Sequence, residues 1–485
     1  MLLLLAAHLC APCHAAIVEQ YQTTGMARSS GKLDFAIPPA TLTDPASGAL
    51  YRIGADHRME FERGPVRGSR ILQWFLGSGN VGRSFLFSVD GILFQAPVSY
   101  YSAARKWDIS PGYEGKRSIQ LARAVEPGCL QCHASAAQPE GGVSCERCHG
   151  PGQEHARTAK PAAIVQPAKL PPPRRDAICA QCHLTGVARV ATANRKEATF
   201  RPGDLLSDHL AVFVWDTPEA GGVDATSHYE RLAASRCKQA SGDQLWCGSC
   251  HDSHREPAPA AKAAFYRQRC QSCHTRQPCT QAPATSDCAS CHMPKGASRG
   301  VDHVAFTDHS IPRRSRPAAA PAGARRALRP FLPAPAGPRE TALGYAVAAM
   351  TEPSVRRQAY ELLLKAPRDL AVMAQLAQFY DRMGQEEQAM ALCEQIVARE
   401  PGHPAAAVNL GIYKIKRGQT AEAIALWQAA LARNPAMTGA RMNLAVALWR
   451  GGEREAARAA LRQLLRFEPD HEPAIRLLRE LGGSP

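Results

Sequence analysis

The sequence predicts a mainly α-helical chain in two unlike parts: an irregular, cysteine-rich domain with a small β-rich insertion, and a C-terminal α–α solenoid. Three observations predict this. A Cys-x-x-Cys-His pentapeptide recurs seven times before residue 293, residues 35–125 lack Cys and carry short strand-like runs, and the chain beyond residue 340 repeats every 34 residues. At ~150 residues per domain, 485 residues allow about three domains. With 45% apolar and 21% charged residues the chain is not wholly disordered. After the start no apolar run approaches the ~18 residues of a membrane span, which excludes a polytopic membrane protein.

Met1 to Leu9 are apolar without a basic flank, like the end of an export signal rather than a whole one. Cleavage near Ala15–Ala16 would remove the first pentapeptide, so this reading puts the true start upstream. Lipoprotein processing at Cys10 is the weaker alternative, because His8-Leu9 is a poor approach to that Cys.

Residues 10–310 form the cysteine-rich domain. Within its insertion, Arg70–Leu76 and Ser84–Val89 are strand-like, and Gly77, Gly79, Gly82 and Asp90-Gly91 punctuate them as hairpin turns. From Ile311 to Arg339 the composition shifts to Pro, Ala and Arg, an extended, semi-rigid linker in which Arg313, Arg314 and Arg316 are solvated charge. Residues 340–485 are the solenoid. Pro367, Pro401, Pro435 and Pro469 are 34 residues apart, as are Gly384, Gly418 and Gly452, Leu376, Leu410 and Leu444, and Ala389, Ala423 and Ala457. Ala377, Gly411 and Ala445 keep the same step. That period is the tetratricopeptide repeat, a helix pair per unit. A degenerate first unit (~336–367), three good units and a closing helix from ~470 are expected, stable only by stacking.

The pentapeptides are Cys10/Cys13/His14, Cys129/Cys132/His133, Cys145/Cys148/His149, Cys179/Cys182/His183, Cys247/Cys250/His251, Cys270/Cys273/His274 and Cys288/Cys291/His292, here the first to seventh motifs. Two thiols three positions apart can bond both vinyl-derived carbons of one haem, and the adjacent His then reaches the iron as proximal ligand. Structural zinc also uses Cys-x-x-Cys pairs but does not require His after the second Cys. The expected cofactor is therefore about seven covalent haem c groups. Their attachment follows export, which places the chain in the periplasm or otherwise outside the cytoplasm. Of the three remaining cysteines, Cys237 and Cys279 are candidates for a disulfide and Cys393 for a small buried apolar residue.

Each iron needs a sixth ligand or stays open. His155, His228, His254, His303 and His309 are the distal candidates by position. His254, three residues after His251, cannot reach the other face of the same iron and would serve a neighbour. His209, in an apolar run, is either a ligand or a satisfied core histidine, and His57, after a turn, is read as neither. Met26, about three helical turns after His14, is a further candidate ligand.

The segments Cys145-Glu-Arg-Cys-His-Gly-Pro-Gly-x-x-His155, Cys247-Gly-Ser-Cys-His-Asp-Ser-His254 and Cys288-Ala-Ser-Cys-His-Met-Pro resemble multihaem cytochromes c of the cytochrome c-554 and doubled-CxxCH type, some of which carry C-terminal tetratricopeptide repeats. The resemblance covers about 10–310, with the repeats matching separately. It implies that His155 and His254 are distal ligands, and it implies electron transfer. Relatives often have His where Met26 stands, so this chain departs there. The favoured expectation is an exported electron carrier whose repeat array docks redox partner proteins. One alternative is a haem oxidoreductase acting on a small nitrogen or other inorganic compound at a five-coordinate iron. The other is a repeat-based interaction scaffold. An uncleaved N-terminal signal would add membrane association. The net charge of +15 suggests nucleic acid at first sight, but the propionates of seven haems add about −14, so no nucleic-acid partner is expected.

Overall fold

The computed structural model describes residues 2–135, 138–193, 195, 199–216, 227–275, 279, 286–297, 305–313 and 327–484. The candidate ligand His303 and the linker residues Arg314 and Arg316 lie outside the described residues. Among the described residues no helix is long and apolar enough to cross a membrane.

Helix α1 (Leu2–Gln22) contains the first motif and departs from helical geometry at His14. Pro12 lies just upstream; it lacks an N–H and its ring crowds the preceding turn. Nine strands follow: β1 (Ser30–Lys32), β2 (Ala40–Thr43), β3 (Leu50–Ile53), β4 (Arg58–Arg63), β5 (Val66–Ile71), β6 (Trp74–Leu76), β7 (Gly82–Val89), β8 (Ile92–Tyr101) and β9 (Lys106–Ile109). They make two antiparallel sheets, in the orders β1-β6-β7-β8-β9 and β2-β3-β4-β5. Met59 and Phe61 of β4 point inward while Arg58 and Glu60 face out, the period-two pattern of a half-buried strand. Asp90-Gly91 caps the β7–β8 hairpin with φ of 52° and 79°, the left-handed pair a tight hairpin requires. The run 70–76 is not one strand: Arg70-Ile71 ends β5, and Trp74–Leu76 pairs in the other sheet.

The motif-bearing region is built from short helices. These are α2 (Pro127–His133), α3 (Glu146–His149), α4 (Gln153–Thr158), α5 (Pro172–His183), α6 (His228–Ala234), α7 (Arg236–Ser241), α8 (Cys247–Cys250), α9 (Lys262–Gln271) and α10 (Cys288–His292). Between α5 and α6 lie β10 (Ala188–Ala191) and β11 (Leu210–Trp215), and β12 (Lys295–Ala297) pairs with β13 (Ala305–Thr307). The expected linker is only partly a linker. Its residues Leu328–Pro330 form β14, which pairs with β11 and completes the sheet β10-β11-β14.

The solenoid pairs α11 (Pro338–Ala348) with α12 (Arg356–Lys365), α13 (Leu370–Arg382) with α14 (Glu386–Arg399), α15 (Pro404–Lys416) with α16 (Thr420–Arg433) and α17 (Thr438–Arg450) with α18 (Arg454–Leu465), and closes on α19 (Glu472–Glu480). Each repeat column does what its residue type allows. Gly384, Gly418 and Gly452 turn helix to helix at positive φ, and Ala389, Ala423 and Ala457 are fully buried between helices. At Gly411 a Cβ would lie 2.4 Å from Nε1 of Trp427, so the missing side chain is what admits the indole.

The array is anchored at both ends and is not a free arm. At its start, α11 lies on the β10-β11-β14 sheet, with Gly344 against the Phe213 ring and the Tyr345 hydroxyl accepting from Leu328 N at 3.0 Å. At its end, Phe467 enters the core of the β-rich insertion, 5.2 Å from the Phe94 ring, and its carbonyl accepts from Leu121 N at 2.8 Å. Asp470 accepts from Ile119 N at 2.9 Å and pairs with Arg63 at 2.8 Å, while Arg466 grips both oxygens of Asp90 at 2.7 and 2.9 Å. The strands that flank the motif region are thus tied together by the repeats.

Candidate haem-binding centre

Each motif occupies about one helical turn. His149, His251 and His274 donate their backbone N–H to the carbonyls of Cys145, Cys247 and Cys270 at 2.9, 2.9 and 3.0 Å. This i to i−4 closure puts the two thiols, three apart, on one face with the His just beyond them. Burial pushes the thiols of Cys10, Cys148 and Cys270 up to about 11.

Four of the motif thiols lie at the surface. Cys13, Cys273 and Cys291, the second thiols of the first, sixth and seventh motifs, are exposed, and so is Cys129, the first thiol of the second. The other motif thiols are half-buried. The polypeptide alone therefore does not enclose Cys13, Cys129, Cys273 or Cys291, and their assignment as haem anchors rests on the pentapeptide, not on a pocket.

The histidines sort by what their two ring nitrogens do. In His149, His155, His292 and His309 the Nδ1–H donates to a backbone carbonyl, of Val165 (2.9 Å), Lys160 (2.9 Å), Pro312 (3.1 Å) and Thr307 (2.9 Å) respectively. This second bond fixes the tautomer and leaves the Nε2 lone pair free, the arrangement of metal-ligating imidazoles. In His251 the Nδ1 partner is the Tyr266 hydroxyl at 3.2 Å. His254 has Asp252 Oδ1 3.9 Å from its Nδ1. Burial holds His133, His149, His183 and His309 below the ordinary imidazole range, and lowers His228 to about 3 and His251 to about 4. The neutral ring is the form that binds a metal.

Two expected ligands are also corrected. His209, 1% exposed, uses both nitrogens: Nε2 donates to Asp204 Oδ2 at 3.0 Å and Nδ1 meets Thr199 Oγ1 at 3.1 Å. It is a satisfied core histidine with nothing left for iron. Met26 does not lie along the first-motif helix, because α1 ends at Gln22 and the chain turns through Thr23 and Thr24. Its backbone sits beside the second motif instead, where the Ser29 hydroxyl lies 2.8 Å from the carbonyls of both Met26 and His133. At His57 the Nε2 donates to Phe35 O at 2.9 Å. Cys237 and Cys279 are free thiols, so no disulfide joins them, and Cys393 is buried.

The remaining candidates meet across long sequence distances. His14 faces His155 with ring centroids 6.3 Å apart and planes 12° from parallel. His149 faces His254 at 5.9 Å and 19°, and His251 faces His309 at 6.1 Å and 29°. His183 meets His228 edge-on at 5.3 Å. Metal–imidazole bonds of about 2 Å put two axial ring centroids roughly 6 Å apart, a spacing that the three near-parallel pairs match and that His183–His228, at 5.3 Å, falls short of. Among the described residues, the buried Nδ1 atoms of His133 and His228 and Nε of Arg147 have no partner, which fits polar groups of a prosthetic group beside them.

The motifs also touch one another. Thiol contacts join Cys10 to Cys145, Cys132 to Cys182, Cys179 to Cys247 and Cys270 to Cys288. Gln181 of the fourth motif donates to Arg147 O of the third at 3.3 Å, and Arg147 donates to Gln131 O of the second. The signal for this order is absent from local sequence. So is any signal for the role of Tyr266, which is 15 residues from His251.

Family comparisons agree with the motif and the repeats. A doubled CXXCH motif model matches residues 239–278, and tetratricopeptide repeat models match 370–403 and 414–481. The chain thus carries a doubled CXXCH motif within residues 239–278. Tetratricopeptide repeats follow it toward the C-terminus. No curated protein matches the chain. Among solved structures, the first tetratricopeptide domain of Spaghetti (RPAP3) bound to an HSP90 peptide is 20% identical over 23% of this chain and 90% of its own, with a TM-score of 0.22. MamA is 20% identical over 28% and 81%, at 0.25, and YrrB, titled as having an unusual peptide-binding site, is 17% identical over 29% and 74%, at 0.26. Scores this low add nothing to the account.

Proposed function

We propose that the chain is an exported c-type cytochrome that moves electrons through about seven covalently attached haems and presents its repeat array to a redox partner. The observation that carries this is the set of four histidine pairs. Each joins a motif histidine to a non-motif histidine, and the three near-parallel pairs have a spacing that fits one iron. The pairs support His155 as sixth ligand opposite His14, His254 opposite His149, His309 opposite His251 and His228 opposite His183.

When bound, haem supplies the one-electron redox chemistry. The protein's share is attachment, orientation and exclusion of water. The Cys pairs fix each group at two points. The carbonyls of Val165, Lys160, Pro312 and Thr307 hold imidazoles in the ligand tautomer, so little reorganises when charge changes. Two axial histidines close an iron to substrate, which favours electron transfer over catalysis at those four sites. The motif helices themselves bury little: among the described residues of 227–313 no apolar side chain is buried. Such a segment gains too little from its own packing to order the chain, and flat apolar macrocycles would complete its core.

Because the array is held at both ends, a partner bound to its repeats is held at a fixed place relative to the motifs. EPR of the oxidised protein tests the reading. At least four low-spin signals from paired imidazoles are expected, and a spectrum dominated by high-spin haem would favour the oxidoreductase alternative.

A further inference from the structure

We propose that Tyr266 is a positioning residue that sets the reduction potential of the iron held by His251, and that this site is the junction between the earlier motifs and the last two. The inference rests on the haem reading above.

Among the described residues, His251 is the one motif histidine whose Nδ1 meets a side chain. The Tyr266 hydroxyl lies 3.2 Å away, with the two rings edge-on at 5.5 Å. With Nε2 committed to iron, Nδ1 carries the proton and donates it to the phenol oxygen. The strength of that bond governs how much anionic character the imidazole has, and therefore how well it stabilises the oxidised metal. At His149 and His292 the acceptor is a backbone carbonyl, which no side-chain change alters. A phenol oxygen is a weaker acceptor than an amide carbonyl. His251 therefore holds its iron with less donor strength than those two, by a contact that a single substitution removes.

The placement makes this site matter. Cys247 of the fifth motif contacts Cys179 of the fourth. On the same side, His309 faces His251 at 6.1 Å and touches His228 at 4.7 Å, and His228 in turn meets His183 of the fourth motif. On the other side, α9 carries Tyr266 and, one turn later, Cys270 of the sixth motif, which contacts Cys288 of the seventh. The third and second motifs join the fourth through Arg147, Gln131 and Gln181, and the first joins the third through Cys10 and Cys145. Among the described residues the fifth motif thus contacts both groups, and Tyr266 stands on its sixth-motif side.

The test is a redox titration of the holoprotein with Tyr266→Phe, followed optically and by EPR. The expected result is an unchanged haem mass, one midpoint displaced upward and one low-spin EPR signal altered, with the other signals in place. Tyr266→Leu removes the same oxygen with a different shape and is expected to raise the same midpoint. Phe265→Leu, which disturbs the ring packed 5.2 Å from Tyr266 but removes no oxygen, is expected to leave all midpoints unchanged. If one oxygen-removing variant loses haem, the other decides. Full haem content with unmoved midpoints overturns the role of Tyr266, and so does an equal shift in Phe265→Leu. A wild-type protein without haem overturns the underlying reading instead.

Discussion

Phe467→Ala tests the second anchor of the repeat array. The ring is 1% exposed, lies 5.2 Å from a fully buried Phe94, and belongs to the core of the β-rich insertion although it comes from the last repeat turn. Removing a buried phenyl ring costs about 3–5 kcal/mol, including the cavity it leaves. The polar part of the anchor survives: Asp470 keeps Ile119 N and Arg63, and Arg466 keeps Asp90. The variant should therefore fold but detach more often. At ~1.4 kcal/mol per tenfold, opening of this contact rises by roughly 10²- to 4 × 10³-fold. Native-state amide hydrogen exchange reads this directly. Faster exchange is expected together in α18, α19 and the edges of β8, with α13 and α14 little changed. Unaltered exchange on both sides of the contact would refute the anchor and restore a freely hinged arm. Deleting the repeats would bare Phe94 and Phe213, so loss of the array is expected to destabilise the haem-bearing part as well.

Further outcomes follow from the same geometry. His254→Ala should open the iron at His149, not the one at His251, converting a single low-spin EPR signal to high spin; an altered His251 signal would contradict the pairing. His209→Ala should leave every haem signal in place while lowering stability by about 1–3 kcal/mol in urea unfolding, because Asp204 and Thr199 lose their buried partner. Gly411→Ala should lower Tm, since overpacking against Trp427 costs about 1–3 kcal/mol and outweighs up to ~1 kcal/mol of helix propensity, whereas Gly439→Ala, with open space at its Cβ, should raise it.

What the sequence made legible was local or periodic. Haem attachment needs two thiols and a His within five residues, so the pentapeptides announce themselves. Their surroundings do not: the same five-residue pattern leaves Cys148 half-buried and Cys13, Cys273 and Cys291 exposed, because covering a thiol depends on what packs over its helix. The repeat columns recur because each Gly, Ala and Pro does the same steric task in every unit. Contacts closed by tertiary folding were not legible. Leu328–Pro330 sits in Pro- and Ala-rich sequence and becomes a strand because β11 offers a free edge. Phe467 looks like one more helix-end apolar residue, and its partner Phe94 lies in the other half of the chain. Met26 lies three helical turns along from His14 only if the helix runs on past Gln22, where it stops, and the ring that meets His14 is His155 from beyond the third motif. His209 carries the right atoms for a ligand, and only its two hydrogen bonds show that both are spent.

Intact mass of the purified, exported holoprotein tests the central claim most directly. Every occupied motif adds one haem mass to the polypeptide, and the same spectrum locates the mature N-terminus. The account predicts seven increments, or six if processing removes the first motif. Fewer than six would contradict it.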